Sequence, residues 1–167
     1  MLYTCQGFRA PINIVDIINQ VFATPAGILT GPSPVFEQGD YTAIEESHGA
    51  VVMNGGNRVM ANGLVSCSAV IYANINPTTH NFIIGYVYHA FGGNVDPSDV
   101  ITALNQLGGP VANIYVIYAH KGQQDTNYIA AIGHITGAGI LPIHVLEIEC
   151  LPDNQFGFGM DGNGNIG

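Results

Sequence analysis

"CSAVIYANINPTTHNFIIGYVYHAF", residues 67–91, is the stretch from which the rest of the chain can be read. Its two flanks, CSAVIYANI and NFIIGYVYHAF, are rich in the β-branched and aromatic residues that suit a pleated surface. Between them lies NPTTH (76–80), a turn-forming cluster with a proline that a central strand would not tolerate. The pattern predicts an antiparallel β-hairpin. In such a ladder, facing positions have a constant sum, so a turn centred on Thr78 places Cys67 across from His89. His80, nearer in sequence, falls in the turn facing position 76.

Working outward, "DPSDVITALNQLGG" carries Asp96 as N-cap, Pro97 at the first helical position and Asp99 in the first turn. Val100, Ala103, Leu104 and Leu107 share one face, and Gly108 ends the helix. "VANIYVIYA" (111–119) reads as a buried strand, and "DTNYIAAIGHITGAG" (125–139) as a helix stopped near Gly137. "ILPIHVLEIEC" (140–150) and "QFGFGMD" (155–161) read as strands before a DGNG turn. Upstream, residues 41–61 hold two short strand candidates around turns at His48–Gly49 and NGGN (54–57). "PINIVDIINQVFA" (11–23) spaces Ile14, Ile17, Ile18, Val21 and Phe22 as one helix, and residues 24–40 form a Gly/Pro-rich connector. Grouped strands with inserted helices predict an α+β fold, a mixed β-sandwich flanked by helices, rather than a doubly wound sheet.

The bulk composition narrows the partners. Of 167 residues, 47% are apolar and 9% charged, which excludes a disordered chain and allows a substantial core. Three Lys and Arg (Arg9, Arg58, Lys121) against twelve Asp and Glu leave a net charge of -9. That charge disfavours nucleic acid and anionic membranes and suits a protein partner. No apolar run reaches the length of a membrane span, and no signal peptide is visible in the N-terminal stretch. The expected location is the cytosol, or outside the cell by a route that needs no such signal. Cys5, Cys67 and Cys150 are too few for a disulfide framework, and a Cys5–Cys150 bridge would leave Cys67 unpaired. Neither CxxC nor HExxH occurs, so no metal site is expected, and the thiol chemistry weighed below needs no organic cofactor.

Cys67 therefore reads in two ways. Cysteine is among the most buried residue types, and a strand cysteine often does no more than pack. A thiol across a ladder from an imidazole is also the arrangement of a nucleophile and its base, because the imidazole can take the thiol proton. Gly63 before the thiol, and Gly92–Gly93 after the histidine, permit turns whose N–H groups could hold an oxyanion.

A resemblance bears on the choice. "GDYTAIEESHGAVVMNGGNRVMANGLVSCSAVIY" resembles the opening of the CheD family of chemoreceptor glutamine deamidases, in Gly39–Asp40–Tyr41 and in Gly63–Leu64–Val65–Ser66–Cys67. "GYVYHAFGG" is similar to the family's histidine context, with one additional residue between glycine and His89. The helix, strand, helix, strand order and "FGFGMDGNGNI" downstream are also similar. The likeness spans roughly residues 38–166, so a CheD-like catalytic domain is expected over 38–167. Residues 1–37, the N-terminal helix and connector, are then an addition packed into the same globular unit. The catalytic domains of cytotoxic necrotizing factors share this fold and its Cys–His site.

The resemblance implies a cysteine-dependent amidohydrolase that converts glutamine of a protein substrate to glutamate. It makes Cys67 the nucleophile, His89 the general base and acid, and the Cys67 and Ser66 backbone N–H groups the oxyanion hole. Two positions depart from the pattern. Val65 stands where the family has glycine, and Ala61 stands where CheD has a threonine that orients the histidine. In the toxin branch a backbone carbonyl can take the threonine's place. The expected role is a bacterial effector or toxin. The alternatives are a divergent chemoreceptor deamidase and a non-catalytic protein-binding module on the same fold.

Overall fold

A computed structural model describes residues 2–22, 27–122, 127–149 and 156–167. Among these residues the chain is α+β, with two mixed sheets and three α-helices. From edge to edge the larger sheet holds β3 (Ile28–Pro34), β1 (Leu2–Arg9), β10 (Val145–Glu149), β9 (Ile114–Ala119), β7 (Ser68–Ile75), β8 (Phe82–Ala90) and β5 (Gly49–Met53). The smaller sheet holds β2 (Ile12–Asn13), β12 (Asn165–Ile166), β11 (Gly157–Met160), β6 (Val59–Asn62) and β4 (Thr42–Ile44). The helices are α1 (Ile14–Ile17), α2 (Pro97–Leu107) and α3 (Asn127–Gly137). None of them is long and apolar enough to cross a membrane.

The hairpin β7–β8 lies inside the larger sheet, and every residue of β7 is buried. Its alternation explains why the run is apolar throughout. Ala69, Ile71, Ala73 and Ile75 face a core shared with Ile44, Val59, Phe158 and Met160 of the smaller sheet. Val70 and Tyr72 face the opposite side, against Val100, Ala103 and Leu107 of α2 and Ala131 and Ile135 of α3. A strand covered on both faces needs no polar side, so its sequence loses the usual two-residue alternation. The layers run α2 and α3, seven strands, five strands, with Ile14 and Ile17 of α1 entering the core between the sheets.

Helix α2 starts and ends where its signals lie. The Asp99 carboxylate accepts the Asp96 N–H at 2.8 Å, and Gly108 at φ 63° closes the last turn. The N-terminal region differs from its expected form. The anticipated helix over 11–23 is confined to Ile14–Ile17, followed by a wider π-type turn over Ile18–Phe22. Ile12 is taken up instead by the ladder with Ile166, and the Asn13 side chain caps the helix by accepting the Val15 N–H. The Gly/Pro-rich connector contains a strand, β3, parallel to β1. Pro32 and Pro34 are tolerated there because β3 is an edge. Residues 41–61 hold three strands, not two, with β4 only three residues long. Residues 2–22 and 27–37 thus supply strands to both sheets.

Candidate active site

Counting from a turn centred on Thr78 puts Cys67 opposite His89, but the structure pairs Ala69 with His89. Two local features move the register. The loop holds four residues between Asn76 and Asn81, whose main chains are hydrogen bonded, and the Asn76 side chain accepts from the N–H groups of Thr78 and Thr79. A bulge near Ile75 then pairs Asn74 with Ile84 and Ile75 with Phe82, leaving Ile83 as the extra residue. Together they displace the pairing by two residues. Because side chains alternate with period two, Cys67 stays on the face of Ala69 and His89, one diagonal step away. His80 lies in the turn at φ 58°, exposed, at the far end of the hairpin.

Three hydrogen bonds hold His89 in place. Its N–H donates to the His48 carbonyl at 2.9 Å, its carbonyl accepts the Ser47 N–H at 2.8 Å, and ring Nδ1 meets the Ile44 carbonyl at 2.8 Å. A carbonyl oxygen only accepts, so Nδ1 carries the proton, and in the neutral ring Nε2 presents its lone pair. Nε2 is buried and has no hydrogen-bond partner among the described residues. The orienting group is therefore a main-chain carbonyl at the end of β4, the edge strand of the smaller sheet. Ala61 is fully buried in the core between the sheets and contributes no group to the ring.

Cys67 sits just before β7, 4% exposed, beneath a turn that begins at Gly63 with φ 69°. That left-handed conformation suits glycine. Leu64 plugs the core and donates its N–H to the Phe156 carbonyl, while Val65 and Ser66 remain at the surface. Residues 64–66 form a hydrogen-bonded turn, tightened by the Val65 N–H donating to the Gly63 carbonyl at 2.7 Å. The Sγ–H points to Glu46 Oε1 at 3.8 Å, a long contact. Sγ, a ring nitrogen of His89 and a Glu46 carboxylate oxygen all lie within 4.8 Å of one another.

Glu46 was not legible from the sequence. It sits on the turn Glu45–His48, closed by a His48 N–H to Glu45 carbonyl bond, with Ser47 at φ 61°. Its only signal is an acidic pair just before a strand, and nothing in that pair says which strand the turn will meet. The three donors are of types that bind a divalent metal, although no linear spacing announces them. His134 and His120 are elsewhere, the first bonded to the Val95 carbonyl and the second paired with Glu147. Three exposed apolar residues lie close to the pair along the chain or join its turn: Val65 two residues before Cys67, Phe91 two after His89, and Phe156, whose main-chain carbonyl accepts the Leu64 N–H. The chain matches no protein-family model and no curated protein.

Proposed function

We propose that this chain is a thiol-dependent protein-glutamine deamidase. The observation that carries the reading is the state of His89: Nδ1 is tied to the Ile44 carbonyl, and Nε2 is left unpartnered beside a buried cysteine. A packing histidine would satisfy both ring nitrogens, whereas a general base needs one fixed and one open. Sulfur and imidazole are neighbours without a direct hydrogen bond, a looseness common before substrate binds.

In the proposed reaction the Sγ–H proton passes to Nε2 as sulfur bonds to the carboxamide carbon. The Cys67 and Ser66 N–H groups, at the end of the turn before β7, hold the developing oxyanion. The imidazolium returns the proton to the departing nitrogen, and ammonia leaves a thioester. Water then gives a proton to Nε2 and attacks the thioester; the C–S bond breaks and the thiol regains its proton. Glutamate remains on the target. Val65, Phe91 and Phe156 supply an apolar rim for a protein substrate, and the net charge of -9 favours a basic face on it. An effector role is the one proposed, because the site replaces the chemoreceptor enzyme's threonine with a main-chain carbonyl.

The test is mass spectrometry of cell lysates incubated with wild type, Cys67→Ser and His80→Ala proteins. Glutamine-to-glutamate conversion at discrete sites should appear with wild type and His80→Ala and vanish with Cys67→Ser. Conversion by Cys67→Ser at the wild-type rate would refute the mechanism.

A further inference from the structure

Glu46, Cys67 and His89 come from a turn, a strand mouth and a neighbouring strand, yet their donor atoms lie within 4.8 Å of one another. We infer that this cluster binds a thiophilic divalent cation, Zn2+ foremost, through Cys67 Sγ, His89 Nε2 and a Glu46 carboxylate oxygen.

Four observations support the site. The donor set is thiolate, imidazole and carboxylate, which selects zinc-like ions over Mg2+ or Ca2+. His89 Nε2 is a buried nitrogen on a side chain 4% exposed, with its lone pair unused among the described residues. The opposite ring nitrogen bonds a main-chain carbonyl, which is how metal-ligating histidines are usually oriented. The size also fits. Zinc–sulfur bonds of about 2.3 Å and zinc–nitrogen or zinc–oxygen bonds of about 2.0–2.2 Å set donors roughly 3.3–3.8 Å apart in a tetrahedron. Sulfur and carboxylate already stand at 3.8 Å, and no pair of donors has more than about 1.5 Å left to close. Glu46 is exposed on its turn and can make that movement. Three protein ligands leave a fourth position for water, as in an exchangeable site rather than a closed structural one.

Occupancy has a direct consequence. The cation takes the sulfur and the Nε2 lone pair together, so metal and glutamine cannot be bound productively at once. Binding itself follows from the geometry alone; inhibition rests also on the deamidase reading.

Reduced protein, cleared of metal with a chelator, would be titrated with Co2+ as a spectroscopic stand-in. Wild type should bind one equivalent, with sulfur-to-cobalt charge-transfer absorption and the visible bands of a tetrahedral ion, and Zn2+ should displace it. Cys67→Ser should lose the charge-transfer band, although Cys5 and Cys150 remain. Glu46→Gln and His89→Asn should weaken binding by at least about tenfold, judged against melting curves that confirm a folded chain. A band that persists in Cys67→Ser, or affinity unchanged in both other variants, would overturn the assignment. These readouts need no turnover, so absence of deamidation leaves them interpretable. Conversely, a deamidase that Zn2+ does not inhibit and does not bind keeps its mechanism and loses only this site.

Discussion

Replacing His89 separates the imidazole's structural work from its chemical work, because the two ring nitrogens do different things. His89→Ala removes a side chain that is 4% exposed and its 2.8 Å bond to the Ile44 carbonyl. A buried acceptor left without a donor costs about 1–3 kcal/mol, and the space vacated by the ring adds to that, for a total of about 2–4 kcal/mol. His89→Asn places an amide N–H close to where Nδ1–H was, so the tether to Ile44 is kept and the loss should stay below about 1.5 kcal/mol. Neither variant has a base at the Nε2 position, so both should lose turnover by about a hundredfold or more. Urea denaturation gives the stability difference, and mass spectrometry of a deamidated target gives the rate. Two outcomes would refute the reasoning: Asn supporting wild-type turnover, or Ala as stable as Asn. The first would remove the base, and the second would remove the tether.

Tyr72 is 1% exposed, and its hydroxyl has no hydrogen-bond partner among the described residues; Tyr72→Phe should therefore be neutral or stabilising by up to about 2 kcal/mol, and a loss above about 1 kcal/mol in urea melts would contradict it. His144, stacked on Tyr115 and bonded to the Ile114 carbonyl, has its pKa pushed below the usual histidine value by burial, against which the backbone bond acts weakly. The folded state then binds the proton less readily than the unfolded chain, so this stability is present above the ordinary histidine pKa and is lost as pH falls through the lowered one. His144→Phe should flatten the decline in stability measured between about pH 7.5 and about pH 5.5, and an unchanged slope would rule His144 out as its source.

What the sequence shows of the fold depends on how local the determinants are. Helix α2 is legible residue by residue because its cap, its first-turn acid and its terminal glycine act within a few positions of one another. The hairpin is legible because its two strands adjoin one turn. Strand β3 is not, because its proline-bearing run looks like a connector until β1 appears beside it, and parallel neighbours leave no local trace. The N-terminal helix is overread for a related reason. Ile12 shares the helical spacing but is claimed by β12, more than 150 positions away, and spacing alone cannot express that competition.

The candidate site divides along the same line, with an added lesson from parity. The hairpin count is two positions out, and the cysteine and histidine still share one face of the sheet, because a two-residue displacement returns every side chain to its face. An error of one would have turned the thiol toward Tyr72's side, against the helices. The partners of that pair have no such protection. The Ile44 carbonyl is a main-chain group that every residue possesses, so no amino-acid choice marks it as the anchor of Nδ1. Glu46 depends on a turn held by Ser47 and His48 against the main chain of His89, a contact that exists only once β5 has paired with β8. The candidate pair is thus encoded within one supersecondary unit. The groups that orient it and compete for it are supplied by the second sheet and by the strand beside the hairpin. For that reason the thiol and imidazole invite a mechanism from sequence alone, while the proton's position and the affinity for a metal are properties of the assembled layers.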